Sequence, residues 1–174
     1  VKIREEIKAQ SNAQATKEVW SLILGVLSKY EMAGTAKTWL LPYAEEAIEM
    51  LRSYGLKVGI VSSNSEAVVR TVLRNHSVEE YVEAIVGRET CEEQKPHPEP
   101  FLKCARVMRV NPAETLVIGD SLQDLEGSRK AGMTFLGVLT GVSGEDVLKA
   151  AGAKHTAHNL KDAIAYVELK LRTV

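Results

Sequence analysis

The spacing of apolar positions along the chain changes near residue 55. Before that point they recur every three or four residues, the period of a helix with one buried face. Val19, Trp20, Ile23, Leu24, Val26, Leu27 and Tyr30 form such a set, and charges concentrate over residues 2–8. Residues 1–40 are therefore expected to be helical, with Gly34 ending or breaking the region. A second helix follows Pro42, with Ala44, Ala47, Ile48 and Leu51 on one face and Gly55 closing it.

Beyond Gly55 the pattern becomes short apolar runs bounded by Gly and Ser, as buried parallel strands require. The expected strands are residues 56–61, 84–86, 115–118 and 134–139. Between and after them lie helical patterns near 65–74, from Pro98 or Pro100 to Met108, 123–131, 145–151 and 160–171. Residues 87–97 read as a polar loop. Strands alternating with helices imply right-handed crossovers and a three-layer α/β domain on a parallel sheet.

Composition narrows the partners. The 174 residues suffice for one such domain plus a small appended element. Lys and Arg total 22 against 23 Asp and Glu, so a net charge of -1 gives no reason to expect nucleic acid or an anionic membrane. Any bound anion must be caught by local chemistry. The longest apolar run near the N-terminus is broken by Gly25, Ser28 and Lys29, and no cleavable signal pattern is visible. Cys91 and Cys104 are too few for a disulfide framework and fit no zinc spacing, so reduced thiols and a cytoplasmic location are expected. No pattern sets an oligomeric state.

In open α/β sheets, ligands bind beyond the carboxyl ends of the strands. Three segments there carry chemistry. In Val117-Ile118-Gly119-Asp120-Ser121-Leu122-Gln123-Asp124 a strand delivers Asp120 to its edge, with Asp124 near a helix start. The two acids either share a hard cation such as Mg²⁺ or cap the helix that follows. In Lys95-Pro96-His97-Pro98-Glu99-Pro100, prolines restrict the backbone around a lysine able to neutralise a carboxylate and a phosphate together. A solvated surface lysine is the alternative, and His97 reads as a loop residue. In Ser62-Ser63-Asn64-Ser65, a strand-to-helix turn offers hydroxyls and amides to a phosphate oxygen, and Ser65 reads as the helix cap.

Taken in order, a strand ending in Ser, a Lys-Pro loop and a strand ending in Gly-Asp-x-x-x-Asp resemble the haloacid-dehalogenase-like superfamily, and its phosphoglycolate-phosphatase-like members most. The likeness covers roughly residues 40–170. Leu41-Pro42-Tyr43-Ala44, Ala131-Gly132-Met133 and Leu139-Thr140-Gly141 add lesser matches. The resemblance implies a Rossmann-like core over 41–174 with residues 1–40 as part of a helical cap. It implies that Ser62, or Ser63 one position on, binds phosphate together with Asn64. Lys95 would hold nucleophile and phosphate, Asp120 would ligate Mg²⁺, and Asp124 would be a further ligand or support one. An acid at Asp120 favours phosphoryl transfer over dehalogenation. The expected function is a phosphatase acting on a small phosphorylated metabolite, with a phosphomutase or a non-catalytic homologue as alternatives.

One family motif has no counterpart. The nucleophile of such enzymes lies in a strand followed by Asp-x-Asp-Gly-Thr, and the only aspartates here are Asp120, Asp124, Asp146 and Asp162. Glu5 and Glu6 follow no strand. The family's first strand would lie between those ending at Val61 and Ile118. The simplest expectation is that this chain, beginning at Val1, starts after that motif; a strand from another chain, or an inactive homologue, are the other two. The 174 residues alone are expected to be inactive.

Overall fold

A computed structural model describes residues 13–35 and 40–172. Helix α1 (Ala13–Gly34) ends at the glycine, and α2 (Ala44–Ser53) buries Ala47 and Ile48. The α/β alternation then runs β1 (Gly59–Val61), α3 (Glu66–Asn75), β2 (Ala84–Val86), α4 (Glu99–Met108), β3 (Leu116–Gly119), α5 (Leu122–Lys130), β4 (Thr134–Val138), α6 (Glu145–Ala150), β5 (Thr156–Ala157) and α7 (Leu160–Leu171). All strand pairs are parallel, as the alternation requires.

The strands form two half-sheets rather than one sheet. β1 pairs with β2, Ile60 opposite Ile85, while β3, β4 and β5 pair in that order, Ile118 opposite Leu136 and Val138 opposite Ala157. Among the described residues neither β1 nor β3 has a partner on its other flank. Burial follows this division. The residues of β2 are buried throughout, as are four of the five in β4, yet every residue of β1 and β3 is only half-buried.

Helices on both faces hold the halves in register. On one face α4 reaches both, because Phe101 and Ala105 belong to a cluster that takes in Val61 of β1 and Val117 of β3. On the other face α2 covers the β1 side through Ile48, and α7 covers the β3 side through Ala163. Those two helices meet, and the Tyr54 hydroxyl just past α2 donates to Glu168 of α7 at 2.8 Å. Between the half-sheets lies a cleft of about 640 Å³, with Val61, Phe101, Val117, Ile118 and Ile164 among its lining residues.

Candidate active site at the carboxyl edge

The loop after β2 and the turn after β3 meet: Lys95 Nζ lies 2.7 Å from Asp124 Oδ1. The carboxyl ends of both half-sheets therefore face the same way. Asp124 of this pair is part of the cleft's lining. The side chains of Lys95 and Asp124 are 14% and 9% exposed, so the lysine is not a solvated surface residue.

Asp124 reaches this position because of two neighbours. The helix cap is Ser121, whose Oγ accepts from the Asp124 amide at 3.2 Å and donates to Asp124 Oδ2 at 2.5 Å. Ser-x-x-Asp is a capping pattern, and it assigns the cap to the serine rather than to an aspartate. Gly119 permits the close approach, since a Cβ there would lie 2.6 Å from that of Asp124. Both oxygens of Asp124 are thus engaged, by Lys95 and Ser121.

Asp120 is held differently. Its Oδ2 accepts from the Val142 amide at 3.0 Å, and its carbonyl accepts from the Ser143 amide at 3.1 Å. The loop after β4 can close this tightly only because residue 141 is glycine: a Cβ would stand 1.7 Å from Asp120 Oδ2 and 2.3 Å from its Cβ. Sequence spacing matched Gly141 to the family but gave no sign of this contact. Among the described residues Oδ1 of Asp120 has no hydrogen-bond partner.

The loop presenting Lys95 is braced by its own helix. Glu99 accepts from the Glu92 and Glu93 amides at 3.1 and 3.0 Å, and Gln94 Nε2 donates to the Arg88 carbonyl at 2.5 Å. Burial pulls the Glu99 carboxyl up, but the two amides together with the nearby His97 and Lys103 outweigh it and hold the group below its ordinary range. Lys103 donates to the Thr90 carbonyl. His97 Nδ1 accepts from the Glu99 amide at 3.2 Å, a loop contact.

Ser62 stands just past β1 on the far flank of the cleft, its amide donating to the Val86 carbonyl at 2.9 Å. Its Oγ accepts from the Asn64 amide at 3.1 Å, and Ser65 caps α3 by accepting from Val68. Ser63 is tied through its carbonyl to Arg88. The structure brings Lys95 and Asp124 into contact, and it places Ser62 and Asp120 just past the ends of β1 and β3, the two strands that flank the cleft. Arg88, Glu99 and Ser121 went unrecognised in the sequence, and of these only Ser121 had a readable pattern.

The fold agrees with the comparisons. The model of the family described as haloacid dehalogenase-like hydrolase matches residues 3–138. The chain belongs to that family. A phosphoglycolate phosphatase of Salmonella typhi is 24% identical over 146 residues, 84% of this chain and 56% of the relative. The chain thus spans little more than half the length of that relative. Among solved structures, a hydrolase from Pseudomonas syringae superposes with a TM-score of 0.74 at 23% identity, covering 95% of this chain and 75% of the other. A beta-phosphoglucomutase from Clostridium difficile gives 0.65 at 22% identity, covering 92% and 66%. Among the described residues no helix is long and apolar enough to cross a membrane.

Proposed function

We propose that this chain is the larger part of a Mg²⁺-dependent phosphatase that hydrolyses a small phosphorylated metabolite through an aspartyl-phosphate intermediate. The observation that carries the reading is the cleft. Its flanks are the edges of β1 and β3 that have no partner among the described residues, its walls are largely apolar, and Asp124, paired with Lys95, is among its lining residues. A β-strand filling it would satisfy both edges and deliver its last residue beside Lys95. An aspartate there is the nucleophile the family uses and these residues lack.

In this reading Ser62, or Ser63 beside it, takes a phosphate oxygen together with amides of the turn through Asn64. Lys95, fixed by Asp124, neutralises the attacking carboxylate and the phosphate at once. Covalent attack divides one difficult displacement into two easier ones. Mg²⁺, when bound, stabilises charge on the transferring group. The donor set fits this ion: Asp120 has one oxygen free, and Mg²⁺ needs only one or two carboxylates, the rest coming from water and phosphate. No cluster of three or more His, Cys, Asp or Glu exists among the described residues, which argues against an all-protein cage. Asp124, with both oxygens engaged, serves the site through Lys95. Residues 13–35 belong, in this proposal, to a partial helical cap, and residues 1–12 and 36–39 of the expected cap segment lie outside the described residues.

The test is to add the strand. The 174-residue chain should release no phosphate from small phosphate esters with Mg²⁺. An N-terminal extension supplying an apolar strand and Asp-x-Asp-Gly-Thr should confer turnover. Asp120→Asn should then abolish it, and Lys95→Ala should lower kcat by orders of magnitude rather than merely raise KM. A folded, extended protein with no turnover refutes the phosphatase reading, and unchanged turnover in Asp120→Asn refutes the metal assignment. The mutase alternative uses the same residues, and only a mutase would return an isomer of a sugar phosphate.

A further inference from the structure

Several of the described apolar side chains of helix α1 stand in solvent. Leu22, Val26 and Tyr30 are 73%, 55% and 78% exposed, so these three contribute little apolar burial toward holding the helix in place. Near its C-terminal end, however, it is joined to the domain by an ion pair. Glu31 Oε1 accepts from Arg88 Nη1 at 2.7 Å and Oε2 from Arg88 Nη2 at 3.2 Å, a two-pronged pairing. The Ser65 amide donates to the same carboxylate at 3.3 Å, and Ser28 Oγ donates to Ser65 Oγ at 3.3 Å.

These bonds end on the turn that carries Ser62. Arg88 Nη1 also donates to the Ser63 carbonyl at 3.0 Å, and the Arg88 amide donates to the Asn64 carbonyl at 2.9 Å. Three successive residues of the turn, Ser63, Asn64 and Ser65, are therefore tied to Arg88 or Glu31. The guanidinium is closely enclosed, with its side chain 15% exposed and Nε buried without a hydrogen-bond partner. It is oriented by its carboxylate, and without Glu31 nothing comparable would keep Nη1 aimed at Ser63. The Arg88 guanidinium, aided by the Ser65 amide and opposed by burial, holds the Glu31 carboxyl below its ordinary range, as a working ion pair should.

We propose that Glu31 and Arg88 are positioning residues that fix the Ser62–Ser65 turn in its phosphate-accepting shape and make that shape depend on the docking of α1. The inference rests on the reading of that turn as a phosphate site. Neither residue needs to touch phosphate. Glu31 carries the wrong charge to bind it, and its effect must run through Arg88 and the Ser63 carbonyl.

Two measurements on the 174-residue chain decide the matter. The first is amide hydrogen exchange in Glu31→Gln, with Glu126→Gln, at an exposed ion pair elsewhere, as control. Exchange should rise about tenfold in the C-terminal half of α1 and in residues 62–66 together, with β3 and β4 unchanged. Loosening of α1 alone would overturn the coupling. The second is binding of inorganic phosphate, followed by ³¹P line broadening. Glu31→Gln should weaken it five- to tenfold although a negative charge has been removed, and Arg88→Lys, which keeps charge but loses the planar fork, should do the same. Tighter binding in Glu31→Gln would mean that the carboxylate merely repels anions, and would overturn the proposal. If the parent chain binds no phosphate, the phosphate-site reading fails, while the exchange experiment still decides whether α1 controls the turn.

Discussion

Removing either member of the Lys95–Asp124 pair should be costly, and removing both should be much cheaper than the sum. The two groups lie 2.7 Å apart and are 14% and 9% exposed, so each is largely cut off from water. Lys95→Met leaves a buried carboxylate with only the Ser121 hydroxyl as partner. Breaking a buried pair in this way costs about 3–5 kcal/mol, and the remaining hydroxyl places this variant near the lower figure. Asp124→Leu leaves the ammonium unpaired. Its flexible stem can carry the charge toward solvent, so about 3 kcal/mol is again expected. With Met and Leu together no charge is stranded, and the loss reduces to the Ser121 hydroxyl's acceptor and imperfect packing, about 2 kcal/mol. The coupling is then about 4 kcal/mol, well outside the roughly 0.5 kcal/mol scatter of independent sites. Urea unfolding of the parent chain, the two single variants and the double variant measures it directly. Additivity within that scatter, or a cost below about 1 kcal/mol for Lys95→Met, would show that the ion pair does not position the lysine.

Arg109, exposed and in the left-handed region at φ 56 just past α4, should give way to glycine with a gain of about 0.5–1 kcal/mol, read as a higher urea midpoint; a loss would refute the strain argument. Gly141→Ala should cost about 1–3 kcal/mol, and Asp120→Ala should not rescue it, because the added methyl would meet the Asp120 Cβ at 2.3 Å as well as its carboxylate. Rescue by that second change would locate the conflict in the carboxylate alone. Acid should weaken the fold in a defined direction. Glu31 is held below the ordinary value of 4.5 chiefly by Arg88, and Glu99, against its burial, by two amides together with His97 and Lys103. Each binds a proton more readily unfolded than folded, so its stabilisation is complete above about 4.5 and is lost as pH falls through the lower folded value. Urea midpoints between neutrality and strong acid should fall less steeply in Glu31→Gln and Glu99→Gln than in the parent, and equal slopes would contradict the assignment.

The helices were legible because their apolar period and punctuation agree, as at Ser65, which caps α3, and Gly34, which ends α1. Strand limits were less so. The run 56–61 reads as one strand, yet only Gly59–Val61 pairs as strand, with Val58 joined to the other half of its ladder through its neighbour Glu83. β5, two residues long, offers no period at all. The site divides along the same line. Asp120, Lys95 and Ser62 were visible because strand ends are where ligands bind. Their supports were not, because they are pairings across the chain: Lys95 and Asp124 are 29 residues apart, Glu31 and Arg88 57. No local pattern predicts which charges will meet.

The disagreement between pattern and burial at β1 and β3 is itself informative. Both read as runs buried on two faces, yet both are half-buried, while β2 and most of β4 on their outer sides are fully buried. An ordinary open sheet has the reverse order, with its middle strands the least exposed. The inversion is explained if the middle strand is the one these residues do not supply. Covering the two edges would then satisfy backbone groups on both flanks and bury Val61, Val117 and Ile118 in one step. Since the same insertion would bring a strand end to Lys95, folding of the sheet and assembly of the proposed catalytic centre would be a single event. Catalysis and stability should therefore be gained together when the strand is added, and neither should be gained without the other.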